Sequence, residues 1–510
     1  MKGGRRLSPS RAARYVMKLE ELIPSLMVAE IKGNTDVEIK GMEMDSRQVK
    51  PEDLFIAVKG FHVDGHRFIP EAIQRGAAAI VVEENIHLKE DIPVIRVPDT
   101  HRAMAVLAST FYRHPTRHLK LIGVTGTNGK TTVTHLIRDI LQDSGRMTGL
   151  IGTMNMKIGD RVYPVKNTTP ESLELQRGFR EMVDRGCSHA VIEASSHALH
   201  MGRTRGCQFK TVVFTNLTQD HLDYHGTMEH YRAAKGLLFS QLGNAYQDRS
   251  EDQPLAVLNI DDEASSYFKE ITSGQVITYS IKQPADVYAE HIQFHPGGTS
   301  FKLKTFHGSV DVQMKLMGTF NVYNVLAATA VALGEGISIE QIRKTLSRVQ
   351  GVPGRFERVD EGQSFTVLVD YAHTPDSLEN VLTTIREFAM GKVTCVVGCG
   401  GDRDRTKRPQ MAQIAASYSE QAIITSDNPR TEDPQQIIDD MMDGVNGFSP
   451  ERVKSIVDRT EAIRSAIHSA SAGDVVLIAG KGHETYQEID GIRYDFDDRE
   501  VARQAILEKG

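Results

Sequence analysis

The sequence predicts an α/β protein of three domains, on three observations. The chain has 510 residues, which at roughly 150 residues per domain is a three-domain length. A strand, a glycine-rich turn and a helix follow one another between Leu119 and Asp143. Beyond Gly354, short apolar strands alternate regularly with helical segments, the pattern of a parallel sheet.

In the first hundred residues Asp53–Lys59 and Ala77–Val82 read as strands, with the helix Phe68–Arg75 between them. Thr100–Arg113 reads as a helix that His114-Pro115 ends, so the first domain is placed at residues 1–114. The second begins with a strand at Leu119–Val124 and a helix at Thr131–Asp143. Strands at Ala190–Ile192 and Thr211–Thr215, a helix at Met228–Phe239 and a polar loop at Asn244–Gln253 follow. Helices are expected at Val322–Leu333, which is rich in alanine, and at Ile339–Ser347. Gly351-Val352-Pro353-Gly354 punctuates the chain and divides the second domain, 115–350, from the third, 351–510. Four strands are expected in the third domain, at Phe365–Val369, Val393–Val397, Ala422–Thr425 and Val475–Ile478. Each runs into a polar loop, as in a Rossmann-like sheet.

Composition excludes several classes. Hydrophobic residues at 40% and charged residues at 25% suit a folded soluble chain. A net charge of −7 is too mild for a nucleic-acid footprint or a membrane-binding face. The cluster Arg403, Arg405, Lys407 and Arg408 is interleaved with Asp402 and Asp404, which also argues against nucleic acid. Apolar runs such as Val475–Ala479 are too short to span a bilayer, and the basic segment Met1–Arg14 has no apolar region after it to make a secretory signal. A cytoplasmic protein, not embedded in a membrane, is expected. Four cysteines make no disulfide framework, and Cys395 and Cys399, at C-x3-C spacing with no second pair, read as a strand end rather than a zinc site.

The turn Gly123-Val124-Thr125-Gly126-Thr127-Asn128-Gly129-Lys130-Thr131-Thr132 carries the clearest chemistry. Glycines let backbone N–H groups approach a phosphate, the following helix adds positive potential, Lys130 supplies a charge, and Thr131 can hold Mg²⁺. The commonest form of this loop has glycine where Val124 stands, so this is a variant. Glu193, at the end of the Ala190–Ile192 strand, is placed to hold the same ion. The stretch Asn216-Leu217-Thr218-Gln219-Asp220-His221-Leu222-Asp223 also follows a strand, and His221 there, taken alone, reads as a structural histidine sooner than as a ligand. Lys235 by itself reads as a solvated helix charge. Four loops of the third domain, 370–375, 400–405, 426–430 and 480–484, are expected to face one crevice. A dinucleotide site there is disfavoured, because Gly398 and Gly400 begin a G-x-G-x-x-G fingerprint whose third glycine is Arg403.

The loop Thr125-Gly126-Thr127-Asn128-Gly129-Lys130-Thr131-Thr132 resembles the ATP loop of the Mur ligases and of their folylpolyglutamate synthetase relatives, which form amide bonds with ATP. The resemblance runs through the whole chain and is nearest the branch that adds the third peptide residue to the cell-wall precursor. It implies an N-terminal UDP-substrate-binding domain, a central ATP-binding P-loop domain and a C-terminal Rossmann-like amino-acid-binding domain. It implies that ATP is held by Gly126, Thr127, Asn128, Gly129, Lys130, Thr131, Thr132, Asn324, Arg355 and Asp370. Asn259 is similar in placement. Lys130, His221 and Lys235 take the catalytic positions, and Mg²⁺ falls to Thr131, Glu193, His221 and Lys235, the last as a CO₂-derived carbamate. The chemistry of a carbamate is coherent: an ammonium beside Mg²⁺ is repelled, and the neutral amine can capture CO₂ to become an oxygen ligand.

The same resemblance assigns Ser46, in Met44-Asp45-Ser46-Arg47, to the uridine end of the substrate. Asn167, Thr168, Thr169, Ser195 and Arg203 go to its muramoyl dipeptide, and Arg403, Asp427, Asn428, Pro429, Arg430, Gly480 and Glu484 to the incoming amino acid. The implied reaction phosphorylates the D-glutamyl side-chain carboxylate of UDP-N-acetylmuramoyl-L-alanyl-D-glutamate. The amine of meso-diaminopimelate then displaces phosphate, in a monomeric enzyme of peptidoglycan synthesis. Arg430 bears on the choice of amino acid, since diaminopimelate differs from lysine by a second carboxylate that a guanidinium can bind in paired fashion. Diaminopimelate-adding ligases resemble this chain in carrying D-N-P-R. The plain alternative is a turn arginine paired with Glu432 or Asp433. Also open are a lysine-adding ligase, folylpolyglutamate synthesis, and a P-loop binding protein that forms no amide.

Overall fold

A computed structural model describes residues 15–509 except 61–62, 89–90, 244–246 and 296–297. The basic segment Met1–Arg14 and the first three positions of the polar stretch at 244–253 lie outside the described residues. Among the described residues, no helix is long and apolar enough to cross a membrane.

Three main sheets follow one another along the chain. The first has Gly41–Glu43, Asp53–Ile56, Ala79–Val82 and Val94–Arg96 in parallel, with Glu30–Lys32 antiparallel at one edge. The helix Thr100–Phe111 covers it, burying Ala103, Met104, Leu107, Ala108 and Phe111. Asp99 caps that helix by accepting from Arg102 N at 2.9 Å, which satisfies one of the free N–H groups of its first turn. The helix ends where Arg113 and His114 turn to positive φ before Pro115.

The central sheet has eleven strands, with Lys120–Thr125 in its middle between His189–Glu193 and Phe209–Phe214, both parallel to it. Near-complete burial of these three strands on both faces explains their continuous apolar character. Because all three run the same way, their carboxyl ends deliver the glycine-rich loop, Glu193 and Asn216 to one place. Helices Lys130–Asp143 and Thr319–Gly334 pack together on one face through Val133, Leu136, Ile137, Val322, Val325 and Leu326. The meander Val287–His295, Gly298–Thr305 and Gly308–Met314 that extends this sheet has no counterpart among the strands expected from the sequence. Its strands are exposed on one face and alternate in burial, so no long apolar run marks them.

At the amino-terminal end of the central strands a buried carboxylate ties the sheet together. Glu335, 2% exposed, lies 2.8 Å from Lys210 Nζ, 3.2 Å from His189 Nε2 and 3.3 Å from Lys120 Nζ. Burial alone would raise its pKa, but His189 and Lys210 outweigh that and hold it at about 2. A carboxyl whose folded pKa lies below its unfolded value contributes stability above the unfolded pKa and loses it as pH falls through the folded one. Here the loss runs from about pH 4.5 to about pH 2. Glu335→Gln should therefore lower the melting temperature clearly at pH 7, an effect of about 3 kcal/mol. The gap to the wild type should close as pH approaches 2. A gap in calorimetric melting temperature that stays constant with pH would refute this account.

The third sheet has Thr366–Asp370, Val475–Ala479, Val393–Val397, Gln421–Ile424 and Val453–Ser455 in parallel, in that spatial order, with Glu357–Val359 antiparallel at the edge. This is the Rossmann-like alternation expected from the sequence, with the last parallel strand inserted between the first two. A separate hairpin, Tyr486–Ile489 with Ile492–Asp495, follows. Cys395 and Cys399 are buried in the third sheet and the turn after it, and burial pushes both thiols up to about 12.

Candidate active site

Two glycines shape the phosphate loop. A Cβ at Gly126 would lie 1.9 Å from Thr215 Oγ1, and one at Gly129 would lie 2.5 Å from Asn324 Oδ1, where φ is +84°. Thr127 N donates to Asn216 O at 2.8 Å, and Asn128 N to Asn216 Oδ1 at 2.9 Å. The loop after Phe209–Phe214 is thus the template that holds the glycine loop open. Lys130, the first residue of its helix, folds back to donate to Gly126 O at 2.9 Å and Thr127 O at 2.8 Å. Burial lowers its pKa, since the carbonyls are dipoles rather than counter-ions. Thr132 is buried in the same turn, and Asn259 Nδ2 braces Thr215 O at 2.8 Å from beneath.

Glu193 is 1% exposed and accepts three hydrogen bonds, from Thr131 Oγ1, Thr153 N and Thr153 Oγ1, each at 2.9 Å. No lysine or arginine pairs with it among the described residues. A buried carboxylate served only by hydroxyl and amide donors, beside a phosphate loop, offers the hard oxygen set that suits Mg²⁺. Four of the five residues expected at the muramoyl dipeptide connect to it, directly or through one neighbour. Thr169 Oγ1 donates to Glu193 O at 2.7 Å and accepts from Ser195 N at 3.1 Å, and Arg203 Nη1 donates to Thr169 O at 3.1 Å. Thr168 Oγ1 lies 3.2 Å from Thr153 Oγ1, whose one hydrogen goes to Glu193, and Asn167 is exposed.

Lys235 is 1% exposed, on the helix Met228–Ser240. Its Nζ donates to Gly126 O at 2.8 Å and sits 4.2 Å from the centroid of the Tyr231 ring. Desolvation, then the charge of Lys130, holds its pKa well below the ordinary lysine value. Both lysines thus converge on one carbonyl. His221 adopts the left-handed conformation at φ 55°, packs edge-on against His197 at 4.7 Å, and lies 3.2 Å from Asp220 Oδ2. Desolvation lowers its pKa against the pull of Asp220, and Lys130 and Lys235 lower it further, which favours the neutral imidazole, the form able to ligate. No hydrogen bond joins His221 or Lys235 to Glu193 among the described residues.

The third domain reaches this centre directly. Arg355 Nη2 approaches Thr131 Oγ1 at 3.5 Å while its guanidinium stacks 4.6 Å over Tyr371. Asp376 accepts from Asn128 Nδ2 at 2.9 Å and Thr218 Oγ1 at 2.8 Å. Asp370 accepts from Phe356 N at 2.7 Å and Ala372 N at 2.8 Å, which shapes the chain beside Arg355. Burial raises its pKa and Arg355 opposes the rise.

Behind this contact the strand-end loops interlock. Asn428 donates to Glu484 Oε2 and accepts from Lys481 Nζ, both at 2.8 Å. Gly480 N donates to Asp370 O at 3.0 Å, and Asn428 N donates to Asp427 Oδ1 at 2.7 Å. Pro429 is buried. Arg430, at φ 54°, donates from Nη1 to Gly401 O at 2.6 Å, and no carboxylate among the described residues pairs with it. Its two expected alternative partners are engaged elsewhere. Glu432 binds Arg405, Arg408 and Asp402 N, and Asp433 caps a helix through Gln435 N. Arg403 is exposed and lines an open cleft of about 620 Å³ with Asp223, Asp402, Asp404, Arg405 and Glu432.

Ser46 stands apart. It is buried in the first domain with Oγ donating to Glu71 Oε2 at 2.7 Å, and among the described residues no side-chain hydrogen bond links it to the centre. Lys481, Asp376, Thr153 and the Arg408–Glu432 pair were missed by sequence reasoning. Lys481 had a signal in its glycine-flanked strand-end loop, whereas the others had none. Asp64, His66 and Glu84 lie close enough to share a metal ion. His66 is already saturated, however, with Nδ1 2.7 Å from Asp64 Oδ1 and Nε2 accepting from Glu83 N at 3.0 Å.

A phosphate loop, an acidic oxygen site at the next strand end and a Rossmann-like domain leaning on both define an ATP-binding α/β protein of three domains. Residues 38–112 match the Mur ligase family, catalytic domain; residues 124–332 match the Mur ligase middle domain; and residues 354–482 match the Mur ligase, glutamate ligase domain. The UDP-N-acetylmuramoyl-L-alanyl-D-glutamate–2,6-diaminopimelate ligase of Geobacillus thermodenitrificans is 57% identical over 493 residues, which is 97% of this chain and all of that one. The ligase of the same name from Listeria monocytogenes is 52% identical over 97% of this chain and 99% of its own. A solved structure of a ligase of that name superposes with a TM-score of 0.69 at 34% identity, covering 97% and 99% of the two chains. The chain belongs to the Mur ligase family.

Proposed function

We propose that this chain is an ATP-dependent amide ligase that joins meso-diaminopimelate to the D-glutamate side-chain carboxyl of UDP-N-acetylmuramoyl-L-alanyl-D-glutamate. It acts as a monomer in the cytoplasm, with domains at 1–114, 115–350 and 351–510. The observation that carries the reading is the approach of Arg355, from the third domain, to Thr131 on the phosphate loop, beside Glu193. One centre is thereby served by two domains, as a reaction among a nucleotide, an acid and an amine requires. Diaminopimelate-ligase relatives matching along their full length support the choice of substrates.

The substrate carboxylate attacks the γ-phosphorus of ATP, ADP leaves, and an acyl phosphate forms. The amine then attacks the acyl carbon, phosphate leaves with the C–O bonding electrons, and the nitrogen gives up its proton. A carboxylate is a poor electrophile, and phosphorylation turns its oxygen into a competent leaving group. Lys130 and the loop N–H groups hold the phosphates, Arg355 adds charge opposite them, and Thr169, Ser195 and Arg203 fix the acid next to Glu193. Bound Mg²⁺, held by Thr131 and Glu193 and by His221 with Lys235, would neutralise phosphate oxygens. The direct test is phosphate release from ATP with the UDP-muramoyl dipeptide, comparing amino acids and a blank without amine. A binding protein would release none in any combination.

Lys235 acts as a carbamate in this reading. Its depressed pKa favours the neutral amine, the form that combines with CO₂ and releases a proton to become an anion. Native mass spectrometry in bicarbonate should find about 44 Da added at Lys235, the mass of the captured CO₂. Lys235→Ala should lose most activity, about 10²-fold or more, with partial recovery in short carboxylic acids. A plain ammonium in fully active enzyme would refute the carbamate.

A further inference from the structure

Arg459 and Asp498 form the most deeply buried ion pair among the described residues, with neither side chain exposed to solvent. Arg459 opens the helix Arg459–Ser469 and Asp498 opens the helix Asp498–Lys509. Their contact is two-pronged, Nε to Oδ1 and Nη2 to Oδ2, both at 2.7 Å. Two of the guanidinium's three remaining hydrogens go to main-chain carbonyls, Ala479 O at 3.0 Å and Ser426 O at 3.4 Å.

One carbonyl ends a strand, at Ala479, and the other lies two residues past Ile424, the end of a strand that does not touch it. Gln421–Ile424 and Val475–Ala479 are separated by Val393–Val397, so no ladder hydrogen bond can set one against the other. Ser426 is the residue before Asp427, and Ala479 the residue before Gly480. Arg459 therefore spans a strand and grips the roots of the two loops whose tips meet through Asn428, Lys481 and Glu484. A planar fork with five donors can hold a carboxylate on one edge and two divergent carbonyls on the other; an ammonium cannot match that geometry. A buried pair of this kind is replaceable by apolar side chains of like volume with little loss of stability, so its worth lies in geometry more than in energy.

We propose that Arg459, oriented by Asp498, is a positioning residue for the amino-acid site, setting the spacing of the Asp427–Arg430 and Gly480–Glu484 loops. The inference rests on the amino-acid-binding role given to those loops above. The deciding variant is Arg459→Met with Asp498→Leu, which removes both charges together and leaves none unpaired. Its KM for meso-diaminopimelate should rise about 10-fold or more, because a displacement of about 1 Å in a binding site costs up to 10²-fold. Its KM for ATP and for the UDP-muramoyl dipeptide should stay within about two-fold of the wild type, a selectivity that a general loss of folding would not give. If this double variant does not fold, Asp498→Asn keeps the shape of the pair and should show the same selective rise, reduced in size. A diaminopimelate KM within two-fold of wild type in a folded variant, or an equal rise in all three KM values, overturns the proposal. Failure of the underlying assignment would look different, since Arg430→Ala would then also leave the diaminopimelate KM unchanged.

Discussion

Lys130→Ala will abolish phosphate release from ATP, lowering kcat by about 10³-fold or more, while the chain remains folded. The size of the effect follows from where the ammonium lies. It is buried against two carbonyls of its own loop with no carboxylate in hydrogen-bonding contact, and desolvation outweighs the pull of Glu193 and Asp220, so an arriving anion finds a charge that is only partly balanced. A triphosphate supplies that anion, and charge developing on the transferred phosphoryl group strengthens the contact as the reaction proceeds. Alanine removes this without opening the core, because the lysine has no tertiary hydrogen bond beyond Gly126 and Thr127. Circular dichroism and melting temperature should thus stay near wild type. A second effect is expected at Lys235, whose pKa is depressed in part by Lys130, so loss of that charge should bring it back toward the usual lysine range. Turnover within ten-fold of wild type would sink the assignment of the phosphate loop.

The phosphate loop was legible in the sequence because its parts are contiguous. Strand, glycines, lysine and helix follow within 24 residues, from Lys120 to Asp143, and local geometry does the rest. The strand ends of the third domain were legible for a similar reason, since each buried apolar strand hands over directly to a polar loop. What stayed hidden is tertiary. Asp376 reads as an ordinary first-turn helix acid, and only the packing of the third domain against the second brings it to Asn128. Arg459 and Asp498 are 39 residues apart, and neither belongs to a motif. Backbone conformation was hidden as well. His221, Phe356, Asp402 and Arg430 all have φ between 50° and 55°, which the residue types of Phe356 and Arg430 do not announce. Such conformations persist only where surrounding contacts over-determine them, and two of these residues face the second domain, Phe356 packing edge-on against Phe320 and Asp402 lining a cleft with Asp223.

The chain should ligate meso-diaminopimelate efficiently and L-lysine negligibly, with a ratio of kcat/KM of about 10³ or more, and Arg430→Ala should raise the diaminopimelate KM steeply. The argument begins with the backbone. Arg430 N donates to Glu488 O at 3.0 Å and Asp490 N donates to Arg430 O at 2.6 Å, so the hairpin grips the residue on both sides and enforces its left-handed turn. That fixes where the side chain leaves the chain. The guanidinium then spends one donor on Gly401 O and has no carboxylate partner among the described residues, because Glu432 is already held by Arg405 and Arg408. A fork of donors held in place without a counter-ion favours a ligand that brings its own carboxylate. Diaminopimelate does so at the end remote from the reacting amine. Lysine has an ammonium route to neither charge balance nor hydrogen bonding there, and its binding would leave the guanidinium desolvated and unpaired. Arg430→Ala should accordingly cost more with diaminopimelate than with lysine, narrowing the preference from the diaminopimelate side. Comparable kcat/KM for the two amino acids in the unmodified protein would remove the specificity claim and leave the amide-ligase reading standing on the phosphate loop and Glu193.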